Sequence, residues 1–320
     1  MEAEIVSRAG IPFRAIPAAG LHGVGLSKLP ANATRLLRGF FASLRILRSF
    51  RPDALVMTGG YVAVPMALAG WRIPTLLFVP DIEPGLALKF LAKFADRIAA
   101  TVAQTKAYFG RNERVAVTGY PLRRDLGDWT RDRAMKHMGL VPATPTVLVV
   151  GGSLGAHSLN LAVFSHLAEL LESAQVVHIT GLTDWSAAQD VARLLPEAIA
   201  GRYHLRPFLH EMGAALSSAD LVVSRAGAST LGEYPFFGLP AILVPYPHAW
   251  RYQKVNADYL ASRGAAIILE DAHLDQLLVG AVRDLLQNPA KRAAMGEAMR
   301  SLAQPRAAEE IAGHLRALAG

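Results

Sequence analysis

Glycine, hydroxyl and carboxylate side chains cluster at three places in the second half of this sequence, each directly after a short apolar run. The first is TVLVV at 146–150 followed by GGSLGA at 151–156. A buried strand, a glycine turn and a helix start make an anion site, because free backbone N–H groups and the helix dipole face the negative charge. Gly151, Gly152 and Gly155 would let the backbone approach a phosphate, and Ser153 would add a hydroxyl donor. Tight strand–helix packing uses the same glycines, so this turn alone reads equally well as structure.

The second is SRAGASTLGE at 224–233. Ser229 and Thr230 can donate hydroxyls, and Glu233, one turn further on, can accept both hydroxyls of a ribose. Plain N-capping and a capping box explain the same residues locally. The third, PYPHAWRYQKVN at 245–256, follows the next strand. All three turns fall at the carboxyl edge of one sheet, where open α/β folds bind ligands. Their agreement points to a ligand more firmly than any one of them.

The first half offers fewer polar groups. Asp81 and Glu83, in VPDIEPG at 79–85, are the only carboxylates between Asp53 and Asp96. A general base that activates a hydroxyl could come from this pair; the alternative is a turn cap at Asp81 and a solvated Glu83. Gly59, Gly60 and Tyr61 form another tight turn. His22, in the loop LHGVG, could flank a cleft or merely be exposed.

The elements that must position these groups follow from the apolar pattern. Strands are expected at 54–57, 75–79, 97–102 and 114–118, then at 146–150, 175–180, 204–207, 220–224, 241–245 and 265–269. Helical patterns fall at 33–50, 63–71 and 86–95 and between the later strands. This βαβ rhythm predicts parallel sheets covered by helices. The polar segment 121–145, with Pro121, Pro142 and Pro145, is expected to link a domain at 1–120 to one at 146–303. The tail from Asn288 reads as two helices parted near Gln304 and Pro305, the last lying in 304–320.

The chain of 320 residues is long enough for two domains, and 52% hydrophobic with 18% charged residues is a globular composition. It has no cysteine, which excludes disulfides, thiolate zinc sites and a cysteine nucleophile. No secretory signal or membrane span is visible. Net charge is +7, and between Ile5 and Pro52 every charged residue is basic. Arg35, Arg38, Arg45, Arg48 and Arg51 share a segment with Leu37, Phe40, Phe41, Leu44, Leu47 and Phe50. Such a helix invites an anionic membrane surface; the alternative is a packed helix with solvated arginines. No nucleic-acid recognition motif accompanies the charge.

These stretches resemble the MurG family of bacterial transferases. The matching segments are GGSLGA at 151–156, ADLVVSRAGASTLGE at 219–233, GLPAILVPYPH at 238–248, RYQKVNA at 251–257, GGYVAVP at 59–65, PGLALKFLAKFADR at 84–97 and TGYPLR at 118–123. The resemblance covers nearly the whole chain. It implies a GT-B fold, α/β with two Rossmann-like domains facing a cleft. It implies transfer of N-acetylglucosamine from UDP-GlcNAc to undecaprenyl-pyrophosphoryl-MurNAc-pentapeptide, a step of peptidoglycan synthesis and so of cell-wall biogenesis, cell shape and division. It further implies an inverting reaction with no cofactor and no metal, on the cytoplasmic face of the membrane as a peripheral protein. Position by position, Arg123 and Ser153 would touch the diphosphate region and Leu209 the uracil. Ala228, Ser229, Thr230, Leu231, Gly232 and Glu233 would line the nucleoside, and Gln253 would meet the sugar.

Two departures from the family stand out. Its opening GGTGGH-like loop has no counterpart, because Met1 aligns after the second strand; about 40–50 residues, one strand–helix–strand unit, would precede it. Where the family reads HEQN, this chain has Phe78, Val79, Pro80 and Asp81. Asp81 is then the expected substitute base. A related transferase with another lipid or glycan acceptor, or a catalytically impaired UDP-sugar-binding protein, are the competing readings.

Overall fold

The computed structural model describes all residues except 1, 2, 4, 5, 8, 20–28, 111, 153, 154 and 248–250. His22 and Ser153 lie outside the described residues. The chain forms two units: Met1–Pro80 with Pro84–Val117 and Glu309–Gly320, and Thr118–Ala308 with Asp81–Glu83.

In the first unit, β1 (Leu55–Met57), β2 (Thr75–Val79), β3 (Arg97–Ala100) and β4 (Val115–Val117) form a parallel sheet in chain order. All of β2, TLLFV, is buried, as a strand covered on both faces requires. The 97–102 and 114–118 runs pair over fewer residues than the apolar pattern suggested. Helix Leu29–Phe50 begins four residues earlier than expected, and Leu86–Leu91 ends four residues earlier.

In the second unit, β5 (Thr146–Val150), β6 (Gln175–Ile179), β7 (Tyr203–Arg206), β8 (Leu221–Ser224), β9 (Ala241–Leu243) and β10 (Ala266–Ile268) form a parallel sheet of order β10-β9-β8-β5-β6-β7. The run expected at 204–207 is shifted by one residue, because Tyr203 pairs with Val176 and its hydroxyl meets His178 at 2.9 Å. Leu148, Leu159, Leu171, Leu221 and Ile242 are fully buried around this sheet.

Segment 121–145 is not a bare linker. It carries a 3-10 turn at Arg124–Asp128 and a helix at Arg131–Met138. Thr130 caps that helix by accepting from the Arg133 N–H, and Gly139 ends it in the left-handed region. Arg131 then grips both oxygens of Asp220 at 2.9 Å, while Asp220 accepts from the Thr146 N–H at the start of β5. Its apolar side chains Leu126, Ala134, Met135, Met138 and Leu140 are buried, while Val141 is exposed. The tail helices are Pro289–Arg300 and Ala307–Ala319, on either side of Gln304 and Pro305.

Candidate functional site

Strands β5, β8 and β9 are neighbours, so the turns that follow them lie side by side at the carboxyl edge of the second sheet. The chain leaves β5 toward β6 on one side and returns to β8 on the other, and a crevice forms outside such a reversal of strand order. A cavity of about 330 Å³ opens there. Gly151 and Gly152 wall it after β5, Gly227, Ser229, Thr230 and Glu233 after β8, and Gln253 after β9. Arg123 closes one side, and Pro207, Phe208, Leu209 and Met212 make an apolar end.

The glycine turn is required by its geometry. Gly152 (φ +92°) and Gly155 (φ +82°) are in the left-handed region, and a Cβ on Gly155 would stand 2.4 Å from the Thr180 carbonyl oxygen. In the turn after β8, a Cβ on Gly227 would meet nothing within 4 Å, so open space borders the backbone there. Neither hydroxyl caps a helix. Thr230 Oγ1 donates to the Gly227 carbonyl at 2.7 Å, and Ser229 donates to the Glu233 carboxylate. Burial pushes the Glu233 carboxyl above its ordinary value, while Arg123 and the Ser229 hydrogen bond pull it down. Gln253 Oε1 accepts from the Tyr246 N–H at 2.8 Å, which leaves Nε2 as its donor group.

Three of the expected nucleoside residues do not line this cavity. Ala228 and Leu231 lie in the 3-10 turn Ala228–Leu231, with Leu231 buried. Gly232 is buried beneath Tyr120, whose Cβ would stand 2.7 Å from a Cβ there.

Several residues that sequence reasoning gave no role complete the site. Tyr120 is one: burial, then the Glu233 and Asp81 carboxylates, raise its phenol above the ordinary range, so it lies in the field of both. Arg225 is another. Buried under the turns, it donates to the Val244 carbonyl at 3.1 Å, to Ser158 Oγ at 2.7 Å and to Asp271. A larger recess of about 710 Å³ shares Gly151, Gly152, Arg225 and Gln253 with the first and adds Gly155, His157 and Asp184. His157 Nδ1 meets Asp184 Oδ1 at 2.7 Å, and Asp184 Oδ2 accepts from Asn160 Nδ2 at 2.7 Å. Asn160 Oδ1 lies 3.0 Å from His178 Nε2, which must therefore carry the hydrogen. Burial holds His178 neutral, down at about 3. These partners stand 18–27 positions apart, and no local pattern announces them.

The segment Asp81–Glu83 belongs to the second unit. Asp81 Oδ1 accepts from Asn256 Nδ2 at 2.8 Å, and burial raises the Asp81 carboxyl against that hydrogen bond. Glu83 instead accepts from Arg251 Nη2 at 3.2 Å and Nε at 3.3 Å. Among the described residues no group of three or more His, Asp or Glu is placed to hold a metal ion.

The sequence matches the glycosyltransferase family 28 C-terminal domain over residues 146–311 and the glycosyltransferase family 28 N-terminal domain over residues 1–100. The UDP-N-acetylglucosamine–N-acetylmuramyl-(pentapeptide) pyrophosphoryl-undecaprenol N-acetylglucosamine transferase of Roseiflexus sp. (strain RS-1) is 40% identical, over 99% of this chain and 81% of that protein. The enzyme of the same name from Desulforudis audaxviator is also 40% identical, over 100% and 88%. Among solved structures, MurG of Acinetobacter baumannii superposes with a TM-score of 0.72 at 25% identity, over 99% of this chain and 88% of that one. The UDP-GlcNAc 2-epimerase of Neisseria meningitidis, bound to UDP-GlcNAc, shares the fold with a TM-score of 0.70 at 14% identity, over 99% and 88%. Two parallel-sheet α/β domains, family matches on both halves and relatives this similar along their length agree: the chain belongs to the MurG family of glycosyltransferases.

Proposed function

We infer that this protein transfers N-acetylglucosamine from UDP-GlcNAc to the MurNAc 4-hydroxyl of undecaprenyl-pyrophosphoryl-MurNAc-pentapeptide. The observation that carries the reading is one cavity with an apolar end at Leu209, a buried carboxylate at Glu233, and Arg123 with the glycine turn beside it. Uracil would lie along Leu209, the ribose hydroxyls on Glu233, and the diphosphate against Gly151, Gly152 and Arg123. Gln253 Nε2 would donate to the sugar.

In the reaction the acceptor hydroxyl attacks the anomeric carbon from the face opposite UDP and gives its proton to Asp81. The bond from that carbon to the diphosphate oxygen breaks, and the charge appearing on UDP is met by Arg123 and the N–H groups of the glycine turn. Glu83 is engaged by Arg251, which favours Asp81 as the base.

We place the protein at the cytoplasmic membrane face, held peripherally by helix Leu29–Phe50. No helix among the described residues is long and apolar enough to cross a membrane. On this helix Leu37 and Phe41 are 58% and 61% exposed, on the face that also carries exposed Arg38, Arg45 and Arg48. Apolar and basic groups on one face suit an anionic lipid surface.

The test is incubation with labelled UDP-GlcNAc and lipid I. The expected result is label in lipid II with one UDP released per transfer. Release of UDP without lipid II overturns the acceptor, and failure to bind UDP overturns the donor site.

A further inference from the structure

Asn256 lies on helix Tyr252–Ala261 with no exposed surface. Its Oδ1 accepts from the Ile82 N–H at 3.2 Å. Its Nδ2 donates to Asp81 Oδ1 at 2.8 Å and to the Ala226 carbonyl at 3.1 Å. A side-chain amide has two N–H donors, and both are taken inside the protein. Ala226 immediately precedes Gly227, which walls the proposed donor cavity. Asp81 Oδ2 makes no hydrogen bond among the described residues, so one carboxylate oxygen is fixed and the other is available.

We propose that Asn256 is a positioning residue: it fixes Asp81 and the backbone of Ile82 against the turn after β8, so that base and donor cradle are registered through one buried side chain. The proposal rests on the reading of Asp81 as the base. It explains how a carboxylate outside the three glycine-rich turns keeps a constant place relative to them. Displacement of a reacting group by about 1 Å costs on the order of 100-fold in rate. The Glu83–Arg251 pair cannot do this work alone, because Arg251 is mostly exposed and such pairs contribute little.

The experiment compares Asn256→Ala and Asn256→Asp with the unaltered protein. In Asn256→Ala, kcat should fall about 100-fold while KM for UDP-GlcNAc stays within about threefold. The acidic limb of kcat should move to higher pH, since the lost hydrogen bond was holding the Asp81 carboxyl down. The Ile82 amide should exchange faster with deuterium, and UDP affinity should be unchanged, which reports an intact fold. Asn256→Asp keeps the side-chain volume and sets a like charge beside Asp81, so its limb should move further; it carries the comparison if the alanine variant does not fold. A raised KM with kcat and limb in place overturns the proposal and confines Asn256 to shaping the turn after β8. Unchanged Ile82 exchange with unchanged kcat overturns it as well. Failure of the underlying reading looks different: Asp81→Asn would keep its kcat and its acidic limb.

Discussion

Arg225 and Asp271 form an ion pair at 7% and 19% exposure beneath the donor turns. Ser158 stands between them, accepting from Arg225 Nη2 and donating to Asp271 Oδ1. The three residues tie the end of β8 to the glycine-turn helix His157–Ser165 and to the turn after β10. Removing one partner of a buried pair leaves the other charge uncompensated. Asp271→Ala should therefore destabilise the protein by about 3–5 kcal/mol in urea unfolding. A loss below about 1 kcal/mol would put the pair among surface bridges, which are worth little.

In the proposed donor site Glu233 would accept the ribose hydroxyls. A hydrogen bond to a charged group is worth about 1.5–3 kcal/mol, so Glu233→Gln should weaken UDP binding roughly 10- to 100-fold by calorimetry. The unaltered protein should also discriminate against 2′-deoxy-UDP, and the variant should not. Because burial raises this carboxyl, UDP affinity should fall on acidification from a higher pH than an ordinary glutamate would give. Equal affinity for UDP and its deoxy analogue in the unaltered protein would remove Glu233 from the ribose.

His178 makes stability depend on pH. Its ring is neutral in the fold, with a value near 3, against 6.5 unfolded. The unfolded chain therefore binds a proton between these limits that the native protein refuses, so stability falls as pH drops below about 6.5. At pH 5 this one group removes about 2 kcal/mol. His178→Gln should flatten the slope of urea stability between pH 7 and 5, even though it lowers stability at pH 7. An equal slope in both proteins would mean that the proton is taken up elsewhere.

The succession of strands along the chain and the three turns that follow them are legible in the sequence because each depends on short-range pattern: TVLVV then GGSLGA, LVVS then RAGAST. The pairing of those turns into a cavity is less so. Gly151, Ser229, Glu233 and Gln253 meet because β8 inserts beside β5, a choice made by the packing of the sheet. Leu231 and Gly232, which the resemblance sets along the nucleoside, are buried, with Gly232 packed against the Tyr120 ring. The helix at Arg131–Met138 was hidden because only Ala134, Met135 and Met138 face inward, too few to outweigh its charges. Asn256, Tyr120 and Arg225 fall inside the quoted segments, but their partners lie elsewhere in the sequence, so the segments mark their positions and not their roles.

The basic helix makes a separate prediction. Reversing charge at Arg45 and Arg48 should weaken binding to phosphatidylglycerol vesicles in a flotation assay. Each basic residue near an anionic surface is worth about 1 kcal/mol, so four units of charge change should lower the partition coefficient by on the order of 100-fold or more. Replacing Phe41 with serine should weaken binding to neutral and anionic vesicles alike, because that contribution is hydrophobic. Unchanged partitioning in both variants would return the helix to an ordinary solvated surface.

The division of labour between Asp81 and Glu83 can be read from rate against pH. A general base must be deprotonated, so kcat rises as pH passes its folded value. Burial raises that value for Asp81 above 3.8, with the Asn256 hydrogen bond opposing, so the limb should lie above the range of an exposed aspartate. Removing a general base costs about 100- to 10,000-fold, so Asp81→Asn should lose that much kcat and should lose the limb with it. Glu83→Gln breaks a pair whose arginine is solvated, worth at most about 1 kcal/mol, and should change kcat by no more than about fivefold with the limb intact. The reverse pattern, a deep loss at Glu83 and a mild one at Asp81, would transfer the proton to Glu83 and make Arg251 the group that tunes it.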